Sequence, residues 1–362
     1  MADHPAEEWI GQVQEAFSER VDRWSDAIES LAALERRGTT RTEVEQVGMA
    51  FVRFLTGTTD AGEMVETVRA AEPDAFWAAL EAFESGVSGE EWRLLTSQLL
   101  QLPAVKYERG RLRELSSWRR ALAARRLGLL TSPELSEPLR RVMARGPERV
   151  TLTAALALAR LGDEPGLSWL LEHPDATAEC SRRQLVVILM RFGREALPAL
   201  RAAAAGWNGA APIHRAAIDV LGMREDLESP RILEGLVREA PFEARLMAAR
   251  ALGRIGSHES LAALIAALDD EAWQVRAQAA RALGSIPDYG NVQALAARVG
   301  DVEWWVRKHA AYALGRHGAE GRRALEQLAD GGHDQFAADM SREVLQRLEW
   351  EDEVPGGFAR VA

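Results

Sequence analysis

Leucine recurs at a nearly constant interval along the second two-thirds of this chain. The seven positions, separated by 31 or 32 residues, are Leu127, Leu158, Leu189, Leu221, Leu252, Leu283 and Leu314. A pair of small or branched residues lies three and four positions before each leucine, as Ala279 and Ala280 do before Leu283. A fixed period of this length indicates structural repeats, each of which buries its apolar face against its neighbours.

Within one repeat the apolar residues have helical spacing. Val275, Ala279, Leu283 and Ile286 follow one another at intervals of three or four, which predicts a first helix over about residues 272–285. Glycine follows five of the seven repeat leucines, and we expect it to end the helix in a left-handed turn. In several repeats a capping residue and a proline then begin a second helix. The sequence therefore predicts two antiparallel helices per repeat.

Helical periodicity also covers much of the region before the repeats, but it does not follow the 31-residue frame. The periodic stretches are 5–36, 41–56, 60–84 and 89–102. Trp9, Trp24, Trp77 and Trp92 fall on their apolar faces. We expect these tryptophans to lie in the core of a helical cap over the first repeat, because an open end of a repeat stack would expose apolar surface.

The pattern as a whole predicts an all-α fold, a right-handed α-solenoid of about seven 31-residue repeats behind a helical N-terminal cap region. The predicted domains are an acidic all-helical N-terminal region at 1–117, the repeats at 118–333, a C-terminal capping helix at 334–349 and a flexible tail at 350–362. In the capping helix the residues expected to face inward are Phe336, Met340, Val344, Leu345 and Leu348.

Charge is distributed unevenly along the 362 residues, whose formal net charge is −11. Residues 1–100 contain 20 acidic and 8 basic residues, a net charge of −12, so the repeats are close to neutral. A nucleic-acid partner is therefore not expected, because phosphate contacts need a basic surface. Residues 106–126 form a basic belt that either binds an acidic partner or lipid phosphates, or pairs with the acidic N-terminal region.

A column of arginines occupies the position seven residues before the repeat leucine, most clearly at Arg245, Arg276 and Arg307. Stacked arginines suit an acidic peptide. Alternatively each pairs with an aspartate of its own or the adjacent turn, such as Asp270 or Asp301, and forms a structural ladder between repeats. A surface pair of this kind is expected to contribute about 0–1 kcal/mol.

A column of aromatic residues lies three positions before the arginines. Phe242, Trp273 and Trp304 share this position, and Trp305 and Trp118 fall one position later. Tryptophan and arginine are enriched at binding hot spots, although aromatic residues at a helix start also fill the junction between repeats. The sequence leaves both interpretations open. The candidate partner-binding residues are Phe242, Trp273, Trp304, Trp305, Arg245, Arg276, Arg307, Trp118, Arg119 and Arg120.

The sequence contains no catalytic signature of the Gly-x-Ser-x-Gly, Walker or Gly-x-Gly-x-x-Gly type. No cluster of histidine and cysteine has metal-ligand spacing, and one cysteine, Cys180, excludes an internal disulfide. We therefore expect no cofactor, no metal and no catalytic activity. The chain also lacks a long apolar run and the pattern of a secretory signal at its start, which predicts a cytoplasmic protein.

The pattern Val-Arg-x-x-Ala-Ala-x-Ala-Leu-Gly at residues 275–284, with Asp270 and Asp301 upstream of arginines, resembles the HEAT-like repeats of phycobilisome lyase subunits. The likeness covers residues 118–349 and implies the fold more than the function, because such repeats occur in adaptors as well as in lyases. It implies a bacterial scaffold or adaptor that binds protein partners. The alternative that it implies is a lyase-like accessory protein or chaperone that holds a chromophore or a modified side chain of its partner.

Three further segments are similar to bacterial HEAT-repeat proteins encoded beside membrane glycosyltransferases. These segments are residues 115–128, 304–314 and 334–340. This resemblance implies a scaffold in exopolysaccharide synthesis. Any membrane contact is then expected to be indirect or to involve the basic stretch 106–126.

Overall fold

The structure is a computed structural model that describes residues 41–84, 86–87, 89–207, 211–331 and 334–353. Within these ranges it contains twenty α-helices and no β-strand, which confirms the all-α fold class. The chain divides into two compact units, residues 1–170 and 171–362. The domain boundaries expected from the sequence stay predictions.

The first unit contains helices from the region before the repeats and from the first two repeats. They are α1 (Arg41–Leu55), α2 (Ala61–Ala70), α3 (Pro73–Glu84), α4 (Gly89–Leu99), α5 (Pro103–Arg111), α6 (Ser117–Leu127), α7 (Ser136–Arg145), α8 (Glu148–Arg160) and α9 (Glu164–Glu172). The stretch 60–84 forms two helices instead of one, because Pro73 begins a new helix. Trp77 and Trp92 are buried as expected, whereas Trp9 and Trp24 lie outside the described residues.

The second unit contains five helix pairs and a final helix. They are α10 (Arg182–Arg191), α11 (Leu197–Ala205), α12 (Pro212–Met223), α13 (Pro230–Glu239), α14 (Phe242–Ile255), α15 (Leu261–Ala267), α16 (Trp273–Leu283), α17 (Tyr289–Arg298), α18 (Trp304–Gly315), α19 (Gly318–Asp330) and α20 (Gln335–Glu353). The first helices of consecutive repeats pack side by side, and so do the second helices, so the unit has two helical layers.

The repeat leucines form the core between these layers. Each of the seven is at most 1% exposed, and the alanines three and four positions before Leu252, Leu283 and Leu314 are buried beside them. Small residues at these positions let neighbouring helices approach closely. The 31-residue period of the sequence is therefore the period at which buried contacts between repeats recur.

The glycines after the repeat leucines serve a different purpose from the one expected. Gly284 has an ordinary right-handed helical conformation, with φ −66°, and Gly253 lies inside α14. A Cβ atom on Gly253 would lie 2.6 Å from Cβ of Ala282, and one on Gly284 would lie 2.9 Å from Cβ of Ala313. The left-handed turn predicted at the five glycines that follow repeat leucines is wrong, because none of the five has a positive φ. Glycine is needed at positions 253 and 284 because the first helix of the next repeat comes into direct contact with it.

The final helix, α20, packs against α18 and α19. It runs from Gln335 to Glu353, past the boundary expected at 349, and the residues after it lie outside the described part of the chain. Met340 and Val344 are buried, as expected for a helix that covers the end of a stack. Phe336 is 68% exposed, so the prediction that it faces inward is wrong.

Candidate functional site

Two arginines of the column are held by aspartates of the following repeat. Arg245 donates hydrogen bonds to both carboxylate oxygens of Asp270, at 2.7 and 2.9 Å. Arg276 does the same to Asp301, at 2.9 Å for both bonds. The carboxylates also accept backbone N–H groups at the start of the next helix, for example that of Glu303 at 2.9 Å. These side chains form a ladder between repeats, so they are not free to bind a peptide.

The ladder shifts the pKa of its members in the directions expected for ion pairs. The hydrogen bond with Asp270 raises the pKa of Arg245 above its ordinary value, against the opposing effect of burial. Burial alone would raise the pKa of Asp301, but hydrogen bonds from Arg276 and from the N–H of Glu303 outweigh it and lower that pKa. Both groups are therefore charged near neutral pH.

Arg307 differs from the other members of the column. Gly332 stands 25 residues after Arg307, where Asp270 and Asp301 stand relative to their arginines. Asp334 accepts the backbone N–H of Phe336 at 2.9 Å, as Asp301 accepts that of Glu303. The guanidinium carbon of Arg307 lies 5.0 Å from the centre of the Phe336 ring. A cation over an aromatic face is favourable. The last three arginines of the column are therefore two ladder arginines and one arginine stacked on the exposed Phe336.

The aromatic column also separates into two groups. Phe242 and Trp273 are half-buried at the starts of α14 and α16. Trp304 and Trp305, at the start of α18, are 45% and 48% exposed. An exposed side chain of this size is available to a partner, so the accessible part of the aromatic column lies on α18.

The two tryptophans of α18 are fixed by their neighbours. Their rings meet edge to face, with centroids 4.8 Å apart. Nζ of Lys308 lies 4.9 Å from the Trp304 ring and 5.8 Å from the Trp305 ring, and 5.7 Å from the ring of Tyr312. We call Trp304, Trp305, Lys308 and Tyr312 the α18 patch. Such contacts restrain large side chains before a partner binds, which reduces the entropic cost of association.

Cationic side chains lie beside the α18 patch, and its Tyr312 hydroxyl donates a hydrogen bond to Glu343 at 3.2 Å. His309 is half-buried, and its ring stacks on Trp305 at a centroid distance of 6.2 Å. Burial is the larger cause that lowers the pKa of His309, and the nearby cations Arg281, Lys308 and Arg316 lower it further. His309 is therefore neutral near pH 7 beside a concentration of fixed cations.

The same positive charge extends to α14. Burial is the largest cause that lowers the pKa of Arg250, Asp219 opposes it, and the cations Arg182, Arg254 and Arg281 add to the lowering. We call Arg250, Arg254, Arg281 and Arg316 the arginine row. In the part of the chain that the structure describes, none of the four forms an ion pair. Sequence reasoning missed these residues, although Arg250 and Arg281 stand two positions before their repeat leucines and therefore share a column with Tyr312.

The three remaining candidates lie in the first unit. Trp118 is 57% exposed and lines a pocket together with Trp77, Arg125 and Arg126. Arg119 pairs with Glu114, at 3.1 Å. The side chain of Arg120 lines a different pocket. The structure therefore does not join Trp118, Arg119 and Arg120 into one binding surface.

Two overlapping stretches, residues 229–315 and 261–348, match the family of HEAT repeats. Residues 229–348 therefore match HEAT repeats. The matched HEAT repeats include the ladder pairs Arg245–Asp270 and Arg276–Asp301, and also the α18 patch. The ladder and the patch therefore belong to the same repeat array.

Several solved structures resemble this chain. Human deoxyhypusine hydroxylase in complex with glycerol has 17% identity and a TM-score of 0.31, over 82% of this chain and 99% of that one. The complex of CpcE and CpcF of phycocyanin lyase from Nostoc sp. PCC7120 has 17% identity and a TM-score of 0.30, over 67% and 94%. The karyopherin Kap121p bound to the extreme C-terminus of the protein phosphatase Cdc14p has 13% identity and a TM-score of 0.40, over 92% and 47%. No curated protein sequence matches the chain.

A membrane-crossing helix and a cluster of metal ligands are both absent from the described residues. No helix among them has both the length and the apolar character needed to cross a membrane. Within the same residues, histidine, cysteine, aspartate and glutamate side chains form no group of three or more that would hold a metal ion.

Proposed function

We propose that this protein is a non-catalytic, cytoplasmic scaffold that binds a protein partner through the α18 patch. The observation that carries the proposal is the pair Trp304 and Trp305, about half exposed and held edge to face beside Lys308. Tryptophan is among the residues most enriched at binding hot spots. A repeat stack also offers a long surface on which a partner can be bound.

The arginine row indicates what kind of partner fits. None of its four guanidinium groups forms an ion pair within the described residues, although Asp219 lies near Arg250. Arg281 and Arg316 lie near His309, which stacks on Trp305 of the patch. Arginine forms paired hydrogen bonds with carboxylates. The partner segment is therefore acidic and carries an aromatic or aliphatic residue that packs on the tryptophans.

The test is affinity capture with purified full-length protein, followed by quantitative mass spectrometry. The double variant Trp304→Ala/Trp305→Ala is compared with Trp118→Ala, which removes an exposed tryptophan from the first unit. Loss of a hot-spot residue costs at least about 2 kcal/mol of binding free energy, so the double variant should bind its partner with an affinity at least about 30-fold lower. The control variant should retain it.

The thermal melt separates binding from structure. The proposal expects the double variant to melt like the wild type, because both side chains are half exposed. Equal loss of capture and of stability would mean that the tryptophans fill a junction between repeats. Full capture by a stable double variant would show that the α18 patch is not the binding site.

A charge-reversal variant tests the acidic character of the partner. Arg254→Glu/Arg281→Glu should also abolish capture, and unchanged capture would show that the partner does not bind through acidic residues.

The narrower roles that the family resemblance implies stay predictions. A function in exopolysaccharide synthesis requires that the captured partner belong to that pathway. A lyase-like accessory role requires a bound chromophore or modified side chain, and a bound pigment would give the protein visible absorbance. The absence of a pigment together with capture of an acidic protein would favour the scaffold.

A further inference from the structure

A pocket lined mainly by arginine lies in the first unit, among α5, α6 and α7. Its volume is about 520 Å3, and its lining residues are Arg109, Leu112, Arg113, Arg120, Pro138, Arg141, Val142 and Arg145. Five of these eight residues are arginines and none is acidic. We call it the arginine pocket. It is distinct from the α18 patch, which lies in the second unit.

Only part of this positive charge is balanced by the protein. Arg109 pairs with Glu134 at 3.3 Å, and Arg141 pairs with Glu137 at 2.8 Å. Arg113, Arg120 and Arg145 form no ion pair within the residues that the structure describes. Nε of Arg120 is also buried without a hydrogen-bond partner. Three guanidinium groups therefore face one pocket without a carboxylate.

The arginines on the other face of the basic belt are neutralised. Arg125 pairs with Glu81 at 3.2 Å, and Arg126 pairs with Asp74 at 2.5 Å as well as with Glu108 of the belt at 2.7 Å. The expectation that the belt pairs with the acidic N-terminal region therefore holds for these two side chains. It does not hold for the arginine pocket, where the acidic region supplies no lining residue.

We propose that the arginine pocket binds a small molecule that carries two or more phosphate groups. Guanidinium groups form paired, charge-assisted hydrogen bonds with phosphate oxygens. One phosphate carries a charge of about −1.5 to −2, which does not balance three unpaired arginines. The pocket also has the volume of a typical small-molecule site, roughly 300–1,000 Å3. Leu112, Pro138 and Val142 supply an apolar wall for the organic part of the ligand.

The experiment is isothermal titration of the full-length protein at low ionic strength with four soluble probes: ADP, pyrophosphate, inorganic phosphate and a glutamate-rich peptide. The expected order of affinity is ADP, then pyrophosphate, then inorganic phosphate at least about tenfold weaker, because each lost charged hydrogen bond costs roughly 1.5–3 kcal/mol. Added salt should weaken the binding of ADP.

Two variants tie binding to the pocket. Arg113→Ala/Arg145→Ala should weaken ADP at least about tenfold. Both residues are exposed, so the fold should persist. Arg113→Lys/Arg145→Lys keeps the charge but loses the paired geometry, so it should bind with intermediate affinity. Arg93→Ala, an exposed arginine on α4 that does not line the pocket, is the matched control and should bind like the wild type.

Other outcomes overturn the proposal. Wild-type protein that binds neither ADP nor pyrophosphate rejects it, and so does unchanged ADP binding by Arg113→Ala/Arg145→Ala. Tighter binding of the glutamate-rich peptide than of ADP, lost in the same variant, assigns the pocket to an acidic protein segment. Binding to vesicles that contain phosphatidylinositol bisphosphate, without binding of the soluble probes, assigns it to a membrane surface.

Discussion

Replacing Gly253 by alanine places a methyl group where the next first helix lies closest to α14. The added Cβ would lie 2.6 Å from Cβ and 2.8 Å from Cα of Ala282. Carbon atoms in contact are normally about 3.5–4.0 Å apart, so α14 and α16 would have to separate by roughly 1 Å. Neither atom of Ala282 is able to move aside by side-chain rotation. We therefore expect Gly253→Ala to destabilise the second unit.

Two opposing effects decide the magnitude. Alanine favours a helix over glycine by about 1 kcal/mol. Overpacking in a close-packed interior costs about 1–3 kcal/mol, occasionally more, and a contact with a helix backbone falls toward the upper end. The net loss is therefore about 1–2 kcal/mol. For a unit of this size, it lowers the melting temperature by about 2–8 °C.

Gly235→Ala is the matched control. Gly235 lies in the interior of α13, is exposed, and would place its Cβ with no atom within 4 Å. The same substitution should stabilise the protein by about 0.5–1 kcal/mol. Thermal unfolding followed by far-UV circular dichroism compares the two variants with the wild type. The reasoning about close approach is refuted if Gly253→Ala melts at or above the wild-type temperature while Gly235→Ala raises it.

Three further predictions concern the core and the ladder. Leu252→Ala should lower the free energy of unfolding by about 2–5 kcal/mol in urea titrations, because the leucine is fully buried. Arg276→Ala should lower it by about 2–3 kcal/mol, more than a surface pair would, because the Asp301 side chain is 4% exposed and loses its main donor. The pKa of folded Asp301 is below its ordinary value, so its contribution to stability is complete above about pH 4 and is lost as pH falls through the lower folded pKa. Asp301→Asn should therefore reduce the loss of stability with acid.

A different result would contradict each of these three predictions. A wild-type melt for Leu252→Ala would mean that the repeat leucine is not a core residue. If Arg276→Ala lowers the free energy of unfolding by less than about 1 kcal/mol, the ladder pair contributes no more than an exposed surface pair. An unchanged acid dependence in Asp301→Asn would mean that other carboxylates govern unfolding at low pH.

The sequence predicts the repeat architecture because the residues that produce it are close together within each repeat and recur at a fixed interval. The recurring leucines and their paired alanines identify the buried face of every first helix, and the structure buries them as expected. The aspartates upstream of Arg276 and Arg307 were also visible as ladder partners. The structure adds that each carboxylate, such as Asp270, binds an arginine of the preceding repeat.

The remaining features depend on contacts between parts that are distant in sequence. The role of Gly253 was misjudged because a close approach by Ala282 leaves no local signal. Helical periodicity alone predicts Phe336 in the core, yet it is exposed beside Arg307. The arginine pocket combines residues of three helices, so Arg113 and Arg145 stand in no common motif. Exposure and pairing, which define both proposed sites, are properties of the assembled chain.

The glycine contacts and the ladder make the joints between successive repeats interchangeable. Gly253 meets Ala282 in the way that Gly284 meets Ala313, and each joint carries an equivalent arginine–aspartate pair. Excision of residues 254–284 would bring Gly253 to Ala313 and recreate the same junction. A gene of this kind can gain or lose whole modules without redesign of its interior. The repeats then differ from one another mainly in the side chains at their outward-facing positions.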